Sequence, residues 1–193
     1  MWLTQEPITE QVRMLRRLMM HTIEELSPLV GRVYLDVVNG NHDQADRQLN
    51  SYPGNGWATE AAIQIHDALK LNEKAYGHVE VRVPEKWSGH MTVPVGDTVV
   101  TVIHGHQWRK DKAATWWSEQ AIAHQPPGAA HVLQNGHHHQ WALQEVSAGR
   151  VRIQSATYDC GSDWYRESHG STSKRGGLVY LLRSGDVSNI TVV

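Results

Sequence analysis

Three apolar runs in this chain stop at a glycine-and-histidine cluster, and that repeated ending limits the possible folds more than any other feature. Val37-Val38 runs into Asn39-Gly40-Asn41-His42-Asp43, and Val99-Val100-Thr101-Val102-Ile103 runs into His104-Gly105-His106. The third run, His131-Val132-Leu133-Gln134, leads into Asn135-Gly136-His137-His138-His139. Short apolar runs rich in β-branched residues and closed by glycine read as buried strands. In open α/β sheets ligands gather at the carboxyl ends of strands, so three such ends carrying imidazoles predict one shared pocket.

The remaining pattern supplies helices and further strands. From Thr9 to Leu26, Val12, Leu15, Leu18, Met19, Ile23 and Leu26 recur at three- and four-residue steps, with Arg13, Arg16, Arg17, Glu24 and Glu25 opposite; this is an amphipathic helix. Pro28 and Gly31 close it, and Val33 to Val38 follows as a strand. A loop over 50–56 precedes a second helix marked by Trp57, Ala61, Ile65, Ala68 and Leu69. Residues 79–83 alternate as a half-wet strand. Gly96-Asp97 joins two strands, 91–95 and 98–103, as a hairpin, and Pro94 places the first of them at a sheet edge. Ala113 to His124 reads as a third helix, closed by Pro126-Pro127. Strands are expected at 141–146, 151–154, 178–182 and 190–193. The fold class expected is α/β, a single domain over 1–193 of layered, sandwich-like β-sheets flanked by helices.

Composition narrows the function. A formal charge of −2 with scattered basic residues gives no footprint for a nucleic-acid duplex. The lone Cys160 cannot form an internal disulfide, and no apolar run reaches the length of a signal core or membrane span. A cytoplasmic protein without a membrane partner is expected. The histidine triplet is internal, so a terminal tag does not explain it.

An asparagine amide oxygen together with neutral imidazoles suits Mn, Fe, Zn or Co better than Ca or Mg, which take all-oxygen shells. His137 and His139 are two residues apart, so on an extended loop their rings would share one side. A metal beside an unligated histidine is equipment for hydrolysis, with the ion activating water and the imidazole protonating the leaving oxygen. His42 is the candidate acid. Asp43 reads equally as a cap for the following turn.

Gly40-Asn41-His42-Asp43, His104-Gly105-His106 and Gly136-His137-His138-His139 resemble, in order and spacing, the third, fourth and fifth blocks of the calcineurin-like metallophosphoesterase family, in the style of its bacterial and phage-encoded members. The resemblance covers about residues 30–165 and implies the calcineurin-like phosphoesterase fold. It implies Asn41, His104, His137 and His139 as metal ligands and His42 as catalytic acid with Asp43 beside it; His106 and His138 read as outer or solvent-facing neighbours of the site that could contact substrate.

The family's first two blocks, Asp-x-His and Gly-Asp-x-x-Asp, do not occur before Gly40, where Asp36 lies inside a strand. The expectation is therefore an N-terminally truncated fold with one metal per chain rather than two, Mn first among the candidates. Asp159 or Asp163 could substitute for the missing carboxylates. Sheet surface left uncovered by the missing blocks leads to an expected homo-oligomer.

A site with fewer metals favours easy substrates, small or activated phosphodiesters such as 2′,3′-cyclic nucleotides. Trp108 or Trp141 could stack a base, and a core role fits either at least as well. Two other functions fit the same residues, an exonuclease-like enzyme on nucleic-acid ends and a catalytically inactive binding adaptor.

Overall fold

The computed structural model describes residues 6–45, 51–158, 167, 170 and 174–193. The chain divides into two compact units, residues 1–89 and 90–193.

In the first unit the three- and four-residue apolar spacing forms helix α1, Ile8–Leu26. It ends in a 3-10 turn, Ser27–Leu29, where Pro28 cannot continue the hydrogen-bond ladder. Strand β1, Val33–Asp36, is followed by α2, Trp57–Lys70, the one-turn α3, Glu73–Tyr76, and β2, Val79–Arg82. β1 and β2 pair in parallel, Val33 opposite Val79 and Asp36 opposite Arg82, so the helices between them form the crossover that parallel strands require. Ile23, Ile65 and Leu69 make the buried centre against Leu35, Val79 and Val81. At the carboxyl end of the pair, Arg82 donates to both carboxylate oxygens of Asp36, at 2.6 and 2.7 Å. This bidentate contact explains an acid inside a strand.

The second unit contains β3 His90–Val95, β4 Thr98–Ile103, β5 Val132–Asn135, β6 Ala142–Ser147 and β7 Arg150–Gln154. They form one five-stranded sheet in the order β3-β4-β5-β7-β6. Gly96 at φ 62° allows the tight β3–β4 turn, and β3 is an end strand, as Pro94 requires. β4, β5 and β7 are mutually parallel, so their carboxyl ends lie at one edge of the sheet.

Helix α4, Ala113–Ile122, covers one face, where Trp117 is 1% exposed among Ile103, Leu133 and Trp108. Its indole N–H donates to the carbonyl of Pro127 at 2.7 Å, so burial costs no lost hydrogen bond. The other face carries the hairpin of β8, Leu178–Arg183, and β9, Asp186–Val192. Leu178, Tyr180, Leu182 and Val187 pack there against Val100, Val132 and Ile153. Strand alternation sorts these layers, with Ile103 and Leu133 facing the helix and Val100 and Val132 the hairpin. The fold is thus mixed α/β and layered, with a hairpin rather than a helix on the second face.

Several boundaries differ from the sequence pattern. β5 begins at Val132, although His131 already lies beside its neighbours, its N–H donating to the Val99 carbonyl at 2.8 Å and its ring Nδ1 accepting the Val99 N–H at 3.0 Å. β9 begins at Asp186, four residues before the apolar run that signals it, because a cross-strand partner holds polar residues extended as well as apolar ones. Trp108 is 7% exposed inside the α4 core and so takes the core role of its two readings, not base stacking; Trp141 is 46% exposed. Asp159, Cys160 and Asp163 lie outside the described residues. Among the described residues no helix is long and apolar enough to cross a membrane.

Candidate metal and phosphate site

The loop after β1 carries Asn41, His42 and Asp43, and much of its polar capacity goes to starting α2. The first four N–H groups of a helix have no intrahelical partner. Here Trp57 N–H donates to the Asp43 carbonyl at 2.9 Å, Ala58 N–H to an Asp43 carboxylate oxygen at 3.4 Å and Thr59 N–H to Asn39 Oδ1 at 3.0 Å. The amide of Asn39, only 7% exposed, also donates to the Pro53 carbonyl at 2.9 Å. Gly56 is obligatory beneath it, since a Cβ there would lie 2.5 Å from the Asn39 amide. Burial raises the pKa of Asp43, against the lowering effect of the Ala58 N–H. Its other carboxylate oxygen, Oδ1, is buried without a hydrogen-bond partner among the described residues.

The second unit assembles histidines from two parallel strands. β4 ends at Ile103 directly opposite Asn135 at the end of β5. His104 and the Gly136-His137 segment therefore leave the sheet side by side, and Gly136 N–H donates to the His104 carbonyl at 3.0 Å. Gly105 sits at φ 106°, with room for no side chain beside the Asn135 amide, 2.9 Å from a would-be Cβ. His104 Nε2 and His137 Nδ1 stand 3.2 Å apart. Ring centroids are 5.4 Å apart for His104 and His106, 6.3 Å for His106 and His137, and 4.8 Å for His137 and His138.

The loop is not extended. His137 and His139 lie at φ 69° and 57°, which corrects the expectation that their rings share one side of an extended segment. Left-handed backbone costs a non-glycine residue about 1 kcal/mol or more, and such strain collects at functional sites.

Beneath the loop lies a polar network that sequence inspection misses. Arg152, 7% exposed, donates to Asn135 Oδ1 at 2.9 Å and to Gln154 Oε1, and Asn135 donates to the Gly136 carbonyl at 2.8 Å. The oxygens that accept from Arg152 on Asn135 and Gln154 belong to neutral amides. Among the described residues no carboxylate neutralises the guanidinium, and burial lowers its pKa. An arginine and a glutamine inside the otherwise apolar Val151-Arg152-Ile153-Gln154 strand are the sequence signal for it. Above it, the His138 imidazole is pushed down to about 4, by burial first and then by the charges of His137, Arg152 and Lys110. His138 Nε2 is buried without a hydrogen-bond partner among the described residues.

A transition metal at His104 and His137 is consistent with this geometry. Two imidazole nitrogens at about 2.0–2.1 Å from one ion stand roughly 3 Å apart when they occupy adjacent positions. Among the described residues, however, no group of three or more His, Cys, Asp or Glu side chains is placed to hold an ion. The pair supplies two ligands rather than a closed shell. Of the candidate residues, His104, His106, His137 and His138 are brought together, and exposed His139 follows on the same loop. Asn41, His42 and Asp43 belong to the other compact unit.

No family model and no curated protein matches the chain. Among solved structures it is similar to a predicted phosphoesterase from Streptococcus pneumoniae, at 10% identity over 88% of this chain and 74% of that one, with a TM-score of 0.42. It is also similar to vacuolar protein sorting 29 from Entamoeba histolytica, crystallised with zinc, at 14% identity over 80% and 87% of the two chains, TM-score 0.40. The same protein from Cryptosporidium parvum matches at 15% identity over 66% and 74%, TM-score 0.35.

Proposed function

We propose that the protein is a metal-dependent phosphoesterase whose ion is held by His104 and His137 at the shared carboxyl edge of β4 and β5. The observation that carries this reading is the 3.2 Å approach of the two imidazole nitrogens. When bound, the ion supplies activation of water and neutralisation of phosphoryl charge. Imidazole donors favour Mn, Fe, Zn or Co, with Mn the first choice and one ion per chain.

The chain's own groups do the rest. The guanidinium of Arg152, which no carboxylate among the described residues neutralises, places positive charge under the histidine loop, which favours an anionic ester there. His106 and His138 contact the substrate, and His139 is a partial ligand or phosphate contact. The sequence resemblance reads Asn41 as a ligand residue and His42, next to Asp43, as an acid that donates a proton to a leaving oxygen; both belong to the first unit. The substrates are small or activated phosphodiesters, 2′,3′-cyclic nucleotides among them, in keeping with the formal charge of −2.

The test joins elemental mass spectrometry with hydrolysis of an aryl phosphodiester and a 2′,3′-cyclic nucleotide, before and after chelation and Mn addition. We expect about one ion per chain and Mn-dependent turnover. His104→Ala and His137→Ala should each lower metal affinity by more than the roughly 10–100-fold that outer-shell changes cost. His42→Ala should keep the metal and lose turnover. Wild-type protein that takes up no ion and turns over neither substrate refutes the proposal.

A second reading, a non-catalytic binding module, is favoured by the missing third ligand among the described residues. It predicts no turnover with any divalent ion.

A further inference from the structure

The first unit carries an aromatic cluster that neither the strand-end pattern nor the histidine pair explains. Trp87 is 75% exposed. Tyr52 meets it edge to face, with ring centroids 5.7 Å apart. The ammonium of Lys86 stands 4.8 Å from the Tyr52 ring centre and 5.3 Å from that of Trp87. An indole left in water forfeits the burial energy that usually places tryptophan in a core.

The cluster is also tied to the loop that bears Asn41 and His42. Gly54 N–H donates to the Lys86 carbonyl at 3.3 Å, and Asn55 N–H donates to the Tyr52 carbonyl at 3.0 Å. The Pro53 carbonyl between them accepts from the buried Asn39 amide. The two rings and the cation are thus held by backbone contacts that run directly into Asn39, two residues before Asn41.

We infer that Trp87 and Tyr52, with Lys86 beside them, form a nucleobase-binding subsite that takes the base of a nucleotide phosphodiester while Lys86 faces its phosphate. The inference rests on the phosphoesterase reading only for the class of ligand, a nucleotide, and the subsite lies within the first unit. Aromatic faces hold bases by stacking with little regard to sequence, and a neighbouring cation adds attraction for the phosphate. Because the rings meet edge to face, the exposed indole of Trp87 offers its face to one base, which fits a mononucleotide or a strand end rather than a duplex.

The experiment is calorimetric titration of the full chain with 2′,3′-cyclic AMP, with a short single-stranded oligonucleotide, and with a cyclic glycerol phosphate that lacks a base. Chelator is present throughout, so binding is read without turnover and the fate of the metal proposal does not enter. Both nucleotides should bind more tightly than the baseless ester. Trp87→Ala should weaken nucleotide binding about tenfold or more, Trp87→Phe should restore most of it, and neither should change binding of the baseless ester. Lys86→Gln should weaken binding with a smaller salt dependence. The exposed position of Trp87 makes the variants soluble controls, checked by unchanged thermal unfolding. Preference for the mononucleotide over the oligonucleotide supports a small substrate, and the reverse supports a strand end as the source of the base. Equal binding of base-bearing and baseless esters, or Trp87→Ala matching wild type, overturns the subsite whether or not the enzyme is active.

Discussion

The loops after β1 and after β4 and β5 share one sequence grammar, an apolar strand that runs into a glycine flanked by amide or imidazole side chains, yet their polar groups are used differently. After β1, Asn39 and Asp43 are consumed by the backbone N–H groups that open α2. After β4 and β5, His104 and His137 turn their ring nitrogens toward each other, and two residues accept left-handed backbone to make that loop. One loop is organised around a helix end and the other around side chains. Strand endings of the same composition therefore do not report the same chemistry; the next element in the chain decides which polar groups remain for a ligand.

Paired substitutions test that contrast most severely. His104→Ala should abolish high-affinity metal binding while changing folding stability by less than about 1 kcal/mol, the ordinary range for a partly exposed site. Asn39→Ala should do the reverse. It removes a buried amide whose two ends are both engaged and leaves the Thr59 N–H and the Pro53 carbonyl unsatisfied, at about 2–3 kcal/mol in urea unfolding, with metal content unchanged. Equal stability losses in the two variants would erase the distinction.

A smaller effect separates the hairpin face of the sheet from the histidine edge. Tyr180 on β8 donates to Gln134 on β5 at 2.7 Å, and burial pushes its hydroxyl from 10.0 up to about 12. The folded protein keeps the proton that the unfolded chain releases, so this contribution is whole below pH 10 and is lost as pH rises towards 12. Chemical denaturation at pH 9 and pH 11.5 should show the loss in wild type and a reduced loss in Tyr180→Phe, with metal affinity at neutral pH the same in both. The smallest change is a gain. His139→Gly relieves a left-handed backbone and should raise stability by about 1 kcal/mol or less, since the added freedom of the unfolded chain offsets part of the relief.

Much of the architecture was legible because period and punctuation agree. The α1, α2 and α4 spacings, the Gly96-Asp97 turn and the edge position announced by Pro94 all follow from local rules. What was hidden depends on partners distant in sequence. His131 extends the chain beside Val99 through its ring, Trp108 is claimed by the core of α4, and the one-turn α3 is shorter than any periodicity can register. At the candidate site, the convergence of His104 with His137 was readable from two parallel strand ends. The left-handed turns at His137 and His139 were not, because positive φ is uncommon even for histidine, which is enriched there, and the loop rather than the residue type sets it. Arg152 is hidden for a different reason. Its guanidinium is held by amides from β5 and β7, and only the register Leu133 opposite Arg152 brings Asn135 within reach.

The ends of the five-stranded sheet carry a consequence for crowded solutions. β3 contains Pro94, which offers no N–H to an incoming strand, and β6 slips register between Glu145 and Ser147. Both are features that discourage one chain from templating another by backbone pairing. Copies of this protein that meet at high concentration will therefore find little purchase in strand-on-strand growth along this sheet, and any lasting assembly must be specified by side chains.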